Sequence, residues 1–316
     1  MPEMPRVGLA GLGRMGTAMC ANLVRAGYRV QAGDRRPEAA ALAARCGAHW
    51  VPRLSRLAAE SDVLITVLPG PDEVREAMTG PGGMAEALRP GTTWIDMTSN
   101  SPAAMTGIQQ ALLARGIQVL EAPAGGGVKA AEQGKLQLLV GGDAEAFARQ
   151  RGLLEVLGDP GRIVHAGGHG AGYMAKLIIN LLWFGQAIAT AEALLLGQAS
   201  GLDLGVLREA LTRSAADSQF IRHDLDALFA GDYLRSFDLD RCYQELQILT
   251  ERARDLGVPF QLSEAVAAIY GRAVRRYGAT EGELLSIALL EEKAGRRLRN
   301  EAIQRPGPDP GPGHHG

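Results

Sequence analysis

The chain has 316 residues, with 33 lysines and arginines against 35 aspartates and glutamates, and 46% of it is hydrophobic. A formal charge of −2 creates no field that would hold nucleic acid or an anionic membrane, so neither is expected as a partner. At roughly 100 to 200 residues per domain, the length points to two domains.

The first residues, Met1-Pro2-Glu3-Met4-Pro5-Arg6, contain no apolar signal core and run straight into a strand-like segment. Cys20, Cys46 and Cys242 form no CxxC or Cys/His cluster and read as free thiols, so a cytoplasmic protein is expected. Through the first half, short β-branched runs alternate with helical patterns, the mark of βαβ units and a parallel sheet. Strands are predicted at 7–10, 29–32, 63–67, 92–95, 119–122 and 136–140, with helical patterns such as 16–26, 36–45 and 103–115 between them. Most of the 41 glycines fall in the first 172 residues, where they punctuate turns.

Beyond about Gly172 the strand signals stop. Apolar residues recur at helical spacing through 174–200, 204–215, 243–256 and 262–277. The most apolar stretch, 177–196, carries Asn180, Gln186, Thr190 and Glu192 at helical spacing, so it reads as a buried helix and not a membrane span. The expected fold is α/β, a Rossmann dinucleotide-binding domain over 1–166 followed by an all-helical domain over 167–303. His165-Ala166-Gly167-Gly168-His169-Gly170 would bend between the two, and the Pro- and Gly-rich tail, 304–316, is expected to be disordered. His165 and His169 sit among glycines with no carboxylate at ligand spacing, so they read as loop residues and no metal site is expected.

Directly after the first strand stands Gly11-Leu12-Gly13-Arg14-Met15-Gly16, a GxGxxG at the start of a helix. Gly11 permits a tight turn, Gly13 lets the backbone approach a pyrophosphate, and Gly16 lets helix and strand pack closely. Asp34 follows at the end of the second strand, where a carboxylate accepts hydrogen bonds from the adenosine ribose and repels a 2′-phosphate, which points to NAD. Arg35 and Arg36 pull toward NADP if either pairs with a 2′-phosphate, and they read equally well as a solvated loop start. NAD or NADP is therefore expected, with a lean to NAD.

These residues, with Asn22-Leu23, Ala26-Gly27-Tyr28 and Asp34-Arg35, resemble the opening of the 3-hydroxyisobutyrate dehydrogenase family, the β-hydroxyacid dehydrogenases, which are related to imine reductases. Later blocks follow in the same order over roughly 6–290: Leu68-Pro69, Asp96-Met97-Thr98-Ser99 with Pro102, Glu121-Ala122-Pro123-Ala124-Gly125-Gly126-Gly127, Gly141-Gly142-Asp143, and Gly170-Ala171-Gly172 with Lys176 and Asn180. The resemblance implies that Leu68 and Pro69 run beside the nicotinamide and that Ser99 contacts the cofactor. It also implies that Lys176 is the catalytic lysine, with Asn180 nearby. Without the resemblance, Lys176 could equally be a lysine snorkelling from a helix end. With it, Lys176 exchanges a proton with the substrate oxygen while hydride moves to or from the nicotinamide.

Two positions depart from the family pattern. Gly125 stands before Gly126 and Gly127 where the family has a serine whose hydroxyl helps to hold the substrate carboxylate, so only backbone N–H groups of that turn remain for the substrate. Gln244-Glu245 replaces a Lys-Asp pair whose lysine reaches the cofactor site; Gln244 keeps a donor and loses the charge. The expected activity is reversible hydride transfer between NAD(P) and a small β-hydroxy acid or its aldehyde or ketone, with the substrate held between the two domains. An imine reductase and a cofactor-binding protein without turnover are the rival readings. The long apolar helix implies a homo-oligomer.

Overall fold

The computed structural model describes residues 4–234 and 237–300, so the expected disordered tail lies outside the described residues. Residues up to Leu177 and residues from Ile178 onward form two compact units.

The first unit begins β1 (Arg6–Ala10), α1 (Arg14–Arg25), β2 (Arg29–Gly33), a 3-10 turn (Pro37–Ala39), α2 (Ala40–Cys46), β3 (His49–Trp50), α3 (Leu54–Glu60) and β4 (Val63–Thr66). It continues through α4 (Pro71–Thr79), α5 (Met84–Ala87), β5 (Thr93–Asp96), α6 (Pro102–Ala114) and β6 (Gln118–Glu121). Then come β7 (Ala124–Gly125), α7 (Gly127–Glu132), β8 (Leu136–Gly142), α8 (Ala144–Leu157), β9 (Gly158–Gly167) and the start of α9 (Ala171–Ala199). Strands β3-β2-β1-β4-β5-β6 pair in that order and all in parallel, the doubly wound order that reverses direction between β1 and β4. Beyond β6 the sheet changes character: β8 joins β6 antiparallel, β7 pairs antiparallel with β8, and β9 pairs with β8 in parallel.

Successive side chains of a strand point to opposite faces, and the core divides accordingly. Val7, Leu9, Val63, Ile65 and Ile95 pack with Met19, Leu23, Leu154 and Leu157 on one face. Ala10, Leu64, Trp94 and Val119 pack with Leu57, Val74, Met78, Met105 and Tyr173 on the other. A sheet buried on both faces explains why its strands read as unbroken apolar runs. Helix starts are fixed locally by side-chain caps: Ser101 accepts from the Ala104 N–H ahead of Pro102, and Asp143 accepts from the Ala146 N–H.

Three differences from the sequence reading have clear physical causes. The segment expected to be helical over 36–45 splits, because Pro37 starts a 3-10 turn and α2 begins only at Ala40. The stretch around His165 is not a loop but the end of β9, which gains its partners from β8 and not from any local alternation. His165 stacks on Phe147 with centroids 5.2 Å apart and its Nε2 lies 2.9 Å from the Gly142 carbonyl, a structural placement. Finally, α9 is not buried all round. It is long and apolar enough to cross a membrane, and in its most apolar stretch 39% is buried while Ile178, Ile179, Leu182 and Leu196 are exposed.

The second unit holds the remainder of α9, then α10 (Leu204–Thr212), a π-helical turn (Phe220–Asp224), α11 (Leu225–Ala230), α12 (Leu239–Asp255), α13 (Gln261–Tyr277) and α14 (Leu285–Ala294). Its core joins Phe184, Ile188 and Leu194 of α9 to Phe220, Phe229, Leu246, Tyr270 and Ile287. Glu291, fully buried on α14, accepts from Tyr233, Arg297, Arg299 and the Leu298 N–H, which ties residues 297–299 to the helices. The three cysteines are free; burial, with Cys46 beside it, pushes the Cys20 thiol up to about 12, so it stays protonated.

Candidate active site

The reversal of strand order between β1 and β4 opens a crevice at the carboxyl ends of these strands, and the glycine loop lies there. Gly11 has φ +103°, and a Cβ on it would stand 2.2 Å from the Val67 carbonyl oxygen and 2.9 Å from Leu68 Cδ2. The loop therefore rests directly against the segment that leaves β4. A Cβ on Gly16 would meet the Gly11 carbonyl at 1.9 Å, which requires glycine for α1 to start so close to β1. Gly13 differs from both. Its Cβ would project into open space, and it begins α1 with no side-chain cap and no acidic residue in the first turn. The first turn of α1 thus supplies neither a side-chain cap nor a carboxylate of its own, and Gly13, Arg14 and Met15 are wholly or partly exposed there. That arrangement fits the pyrophosphate of a dinucleotide.

Asp34, at the end of β2, reaches back to the loop. Its Oδ2 accepts from the Leu12 N–H at 2.8 Å, and both oxygens accept from the Arg36 guanidinium at 3.0 and 3.1 Å. Arg36 also donates to the Leu12 carbonyl at 3.2 Å. Burial pushes the Asp34 carboxyl up, but the hydrogen bonds from Arg36 and Leu12 outweigh it and leave the group below the ordinary aspartate value. Arg36 is thus paired with Asp34 while remaining exposed, and Arg35 beside it is exposed as well.

Leu68 and Pro69 follow β4, and Ser99 follows β5, so the three stand at neighbouring strand ends. What holds them is a buried polar chain. Trp94 donates to Thr66 at 3.0 Å, and Thr66 donates to Asp96 at 2.7 Å. Asp96 also accepts from the Thr98 N–H, Asn100 and the Tyr173 hydroxyl, and the Thr98 hydroxyl in turn accepts from the Leu68 N–H at 3.1 Å. Desolvation raises the Asp96 carboxyl against the pull of these donors, and burial together with the Asp96 charge raises Tyr173 well above an ordinary phenol.

A second buried carboxylate fixes the start of α9. Glu121, at the end of β6, accepts from the N–H groups of Gly170, Gly172 and Tyr173 and from Gln109 Nε2. A carboxylate at a helix amino terminus satisfies donors that the helix itself leaves open. Gly141 and Gly172 make the approach possible, since a Cβ on either would fall within 2.7 Å of the other's backbone nitrogen. One turn along α9 from this anchor stands Lys176, half-buried, with Nζ 3.9 Å from where a Cβ on Gly125 would lie. Lys176 and the Gly125-Gly126-Gly127 turn are thereby brought together. Gly126 and Gly127 both take positive φ, +108° and +67°, and are exposed at the start of α7.

Asn180, Gln244 and Glu245 belong to the second unit. Asn180 Nδ2 donates to Glu245 Oε2 at 2.7 Å, and Gln244 is an exposed residue of α12 that accepts from Arg241 at 3.2 Å. Glu245 also has a signal in the sequence, since it sits in the otherwise apolar stripe Cys242, Leu246, Leu249, Ala253. Asp96 and Glu121 carried a signal too, each being an acidic residue directly after an apolar pair at a strand end, Trp94-Ile95 and Val119-Leu120. Tyr173 carried none, since an aromatic residue at a helix start is ordinary core.

Comparison with known proteins agrees with this geometry. Residues 6–168 match the family model described as the NAD binding domain of 6-phosphogluconate dehydrogenase, and residues 170–290 match the one described as NAD-binding of NADP-dependent 3-hydroxyisobutyrate dehydrogenase. The chain is 32% identical to 2-(hydroxymethyl)glutarate dehydrogenase of Eubacterium barkeri over 87% of its own length and 91% of that protein's. It is 37% identical to 3-hydroxyisobutyrate dehydrogenase of Pseudomonas aeruginosa over 67% of its length and 70% of that protein's. The structure of Mycobacterium tuberculosis 3-hydroxyisobutyrate dehydrogenase with L-serine superposes with a TM-score of 0.81 at 30% identity, covering 91% of this chain and 99% of that one. A glycine loop at the strand reversal, a lysine on an anchored helix beside a glycine turn, and relatives at 30% identity or more, matched over 70% to 99% of their own length, lead to one conclusion: the chain belongs to the 3-hydroxyisobutyrate dehydrogenase family of nicotinamide-dependent oxidoreductases.

Proposed function

We propose that the protein interconverts a β-hydroxy acid and its carbonyl counterpart, with Lys176 exchanging the proton on the substrate oxygen. The relatives' named substrates, 3-hydroxyisobutyrate and 2-(hydroxymethyl)glutarate, share a hydroxyl on the carbon β to a carboxylate, and that motif is the substrate class inferred. The bound nicotinamide supplies or accepts the hydride. The observation that carries the reading is the placement of Lys176, half-buried on a helix whose start Glu121 immobilises, beside a turn with exposed backbone N–H groups. In the oxidising direction Lys176 removes the hydroxyl proton, and in the reducing direction it returns it. Asn180, one turn further along α9, is read as a positioning residue, and Gly125, Gly126 and Gly127 as the carboxylate-side turn. Gly11 to Gly16 are read as the pyrophosphate cradle, Leu68, Pro69 and Ser99 as the nicotinamide side, and Gln244 as an uncharged neighbour of the cofactor. Asp34 favours NAD. The exposed apolar residues of α9 favour a homo-oligomer, and the free thiols a cytoplasmic setting.

The test is hydride transfer measured with NAD and NADP against β-hydroxy acids, semialdehydes and cyclic imines, in wild type and in Lys176→Ala. Turnover of a β-hydroxy acid with kcat lowered roughly a hundredfold or more in the variant, NADH binding being retained, is the expected result. Lys176→Arg should not rescue the rate, because a guanidinium stays protonated. Turnover of imines alone, or NADH binding without any turnover, would replace this reading by one of its two rivals.

A further inference from the structure

The serine position of the family is glycine here, and the space it leaves is not empty. Gly125 on β7 pairs in register with Gln137 on β8, so the two residues face each other across the ladder. A Cβ on Gly125 would lie 3.2 Å from Gln137 Oε1 and 3.6 Å from Gln137 Cβ, and on its other flank 3.9 Å from Lys176 Nζ. The Gln137 carboxamide thus borders the same small volume as the lysine amine. It is half-buried, and its carboxamide makes no hydrogen bond to another described residue. A carboxamide offers two donors and one acceptor oxygen, and a half-turn about its last torsion exchanges Oε1 for Nε2 at the same place.

We propose that Gln137 is a specificity-determining residue, donating through Nε2 to the carboxylate of the hydroxy acid in place of the missing serine hydroxyl. The proposal rests on the functional reading above. Geometry supports it in three ways. The amide enters from β8 directly opposite Gly125, its reach is longer than a serine's, and a residue larger than glycine at 125 would press on it at 3.2 Å. Gly125 and Gln137 are therefore a matched pair: the first gives room and the second fills it. The longer side chain holds the carboxylate farther from the β7 backbone than a serine hydroxyl would, which leaves space for a substrate bulkier near its carboxylate.

The experiment is steady-state kinetics on Gln137→Ala, Gly125→Ser and the double variant, each with a β-hydroxy acid and with the corresponding carboxamide. Isothermal calorimetry of hydroxy-acid binding to the NADH-loaded protein runs alongside. Loss of a hydrogen bond to a charged group should raise KM and Kd for the acid roughly tenfold or more in Gln137→Ala, leave kcat within about twofold, and barely change KM for the uncharged amide. Gly125→Ser should impair binding in the wild-type background, where it meets Gln137, and restore it in Gln137→Ala, where the space is open. Gln137→Glu, which keeps the shape and adds a like charge, should weaken acid binding further than Gln137→Ala. An active wild type whose KM and Kd for the acid are unchanged in Gln137→Ala overturns the assignment of Gln137 alone. A wild type that turns over no β-hydroxy acid overturns the functional reading, and this inference with it.

Discussion

The Tyr173 hydroxyl donates to Asp96 Oδ2 at 2.7 Å, with both residues fully buried. The bond links the first turn of α9 to the end of β5, and Asp96 passes it on through Thr98 to Leu68 after β4. A single polar chain thus fixes both the helix that carries Lys176 and the strand ends read as the nicotinamide side. Tyr173→Phe should cost about 1 to 3 kcal/mol, the usual range when a buried acceptor loses one donor. The sign of its pH dependence follows from Asp96. Burial already holds that carboxyl above its ordinary value, and removing a donor to the charged form raises it further. A group raised in the folded state contributes fully below its unfolded value of 3.8 and loses that contribution as pH rises. The penalty of the substitution should therefore be larger at pH 7 than at pH 4. Urea denaturation at the two values measures it, and a penalty independent of pH would show that Tyr173 acts only by packing.

The three glycines of the loop should separate by experiment. At Gly13 an added Cβ has nothing within 4 Å, so Gly13→Val should fold with little change in stability while losing NADH affinity by tenfold or more. Gly16→Ala places its methyl 1.9 Å from a backbone carbonyl and should lower stability by about 1 to 3 kcal/mol. Fluorescence titration with NADH, read beside thermal melts, distinguishes the two effects. Unchanged affinity in folded Gly13→Val would remove the cradle from this loop.

On the proposed reading, Asp34 and Arg36 would set cofactor choice together, because their ion pair offsets the repulsion that the carboxylate exerts on a 2′-phosphate. Asp34→Asn should move the ratio of kcat/KM for NAD over NADP toward NADP. Arg36→Ala frees the carboxylate and should move it toward NAD. If neither ratio shifts, discrimination lies outside this pair.

Asn180 is held by Glu245 through a 2.7 Å bond. Asn180→Ala should lower kcat by less than Lys176→Ala does, since it loosens positioning and leaves the proton carrier in place. Glu245→Ala should reproduce the kinetic effect of Asn180→Ala, and the double variant should add little to either. Full activity in Glu245→Ala would detach the α12 carboxylate from the reaction.

Much of this protein is written locally. A strand followed by three spaced glycines, β-branched runs interrupted by turns, and an apolar residue every three or four positions are all visible within a window of ten to twenty residues. The six strands expected from these runs, all with neighbours on both sides in the sheet, the glycine loop and the long α9 needed no knowledge of distant partners. The tertiary structure decided what depends on pairing across the chain. β9 exists because β8 offers it hydrogen bonds, not because 158–167 alternates. Arg36, for which the sequence left a phosphate contact and a solvated loop start equally open, is exposed yet bonded to both Asp34 and the Leu12 carbonyl. Glu121 meets the start of α9 from 49 to 52 positions away, Tyr173 meets Asp96 from 77, and Gln137 meets Gly125 only through the β7–β8 register. A buried carboxylate or amide takes its meaning from the donors that surround it, and those donors come together only when the chain folds.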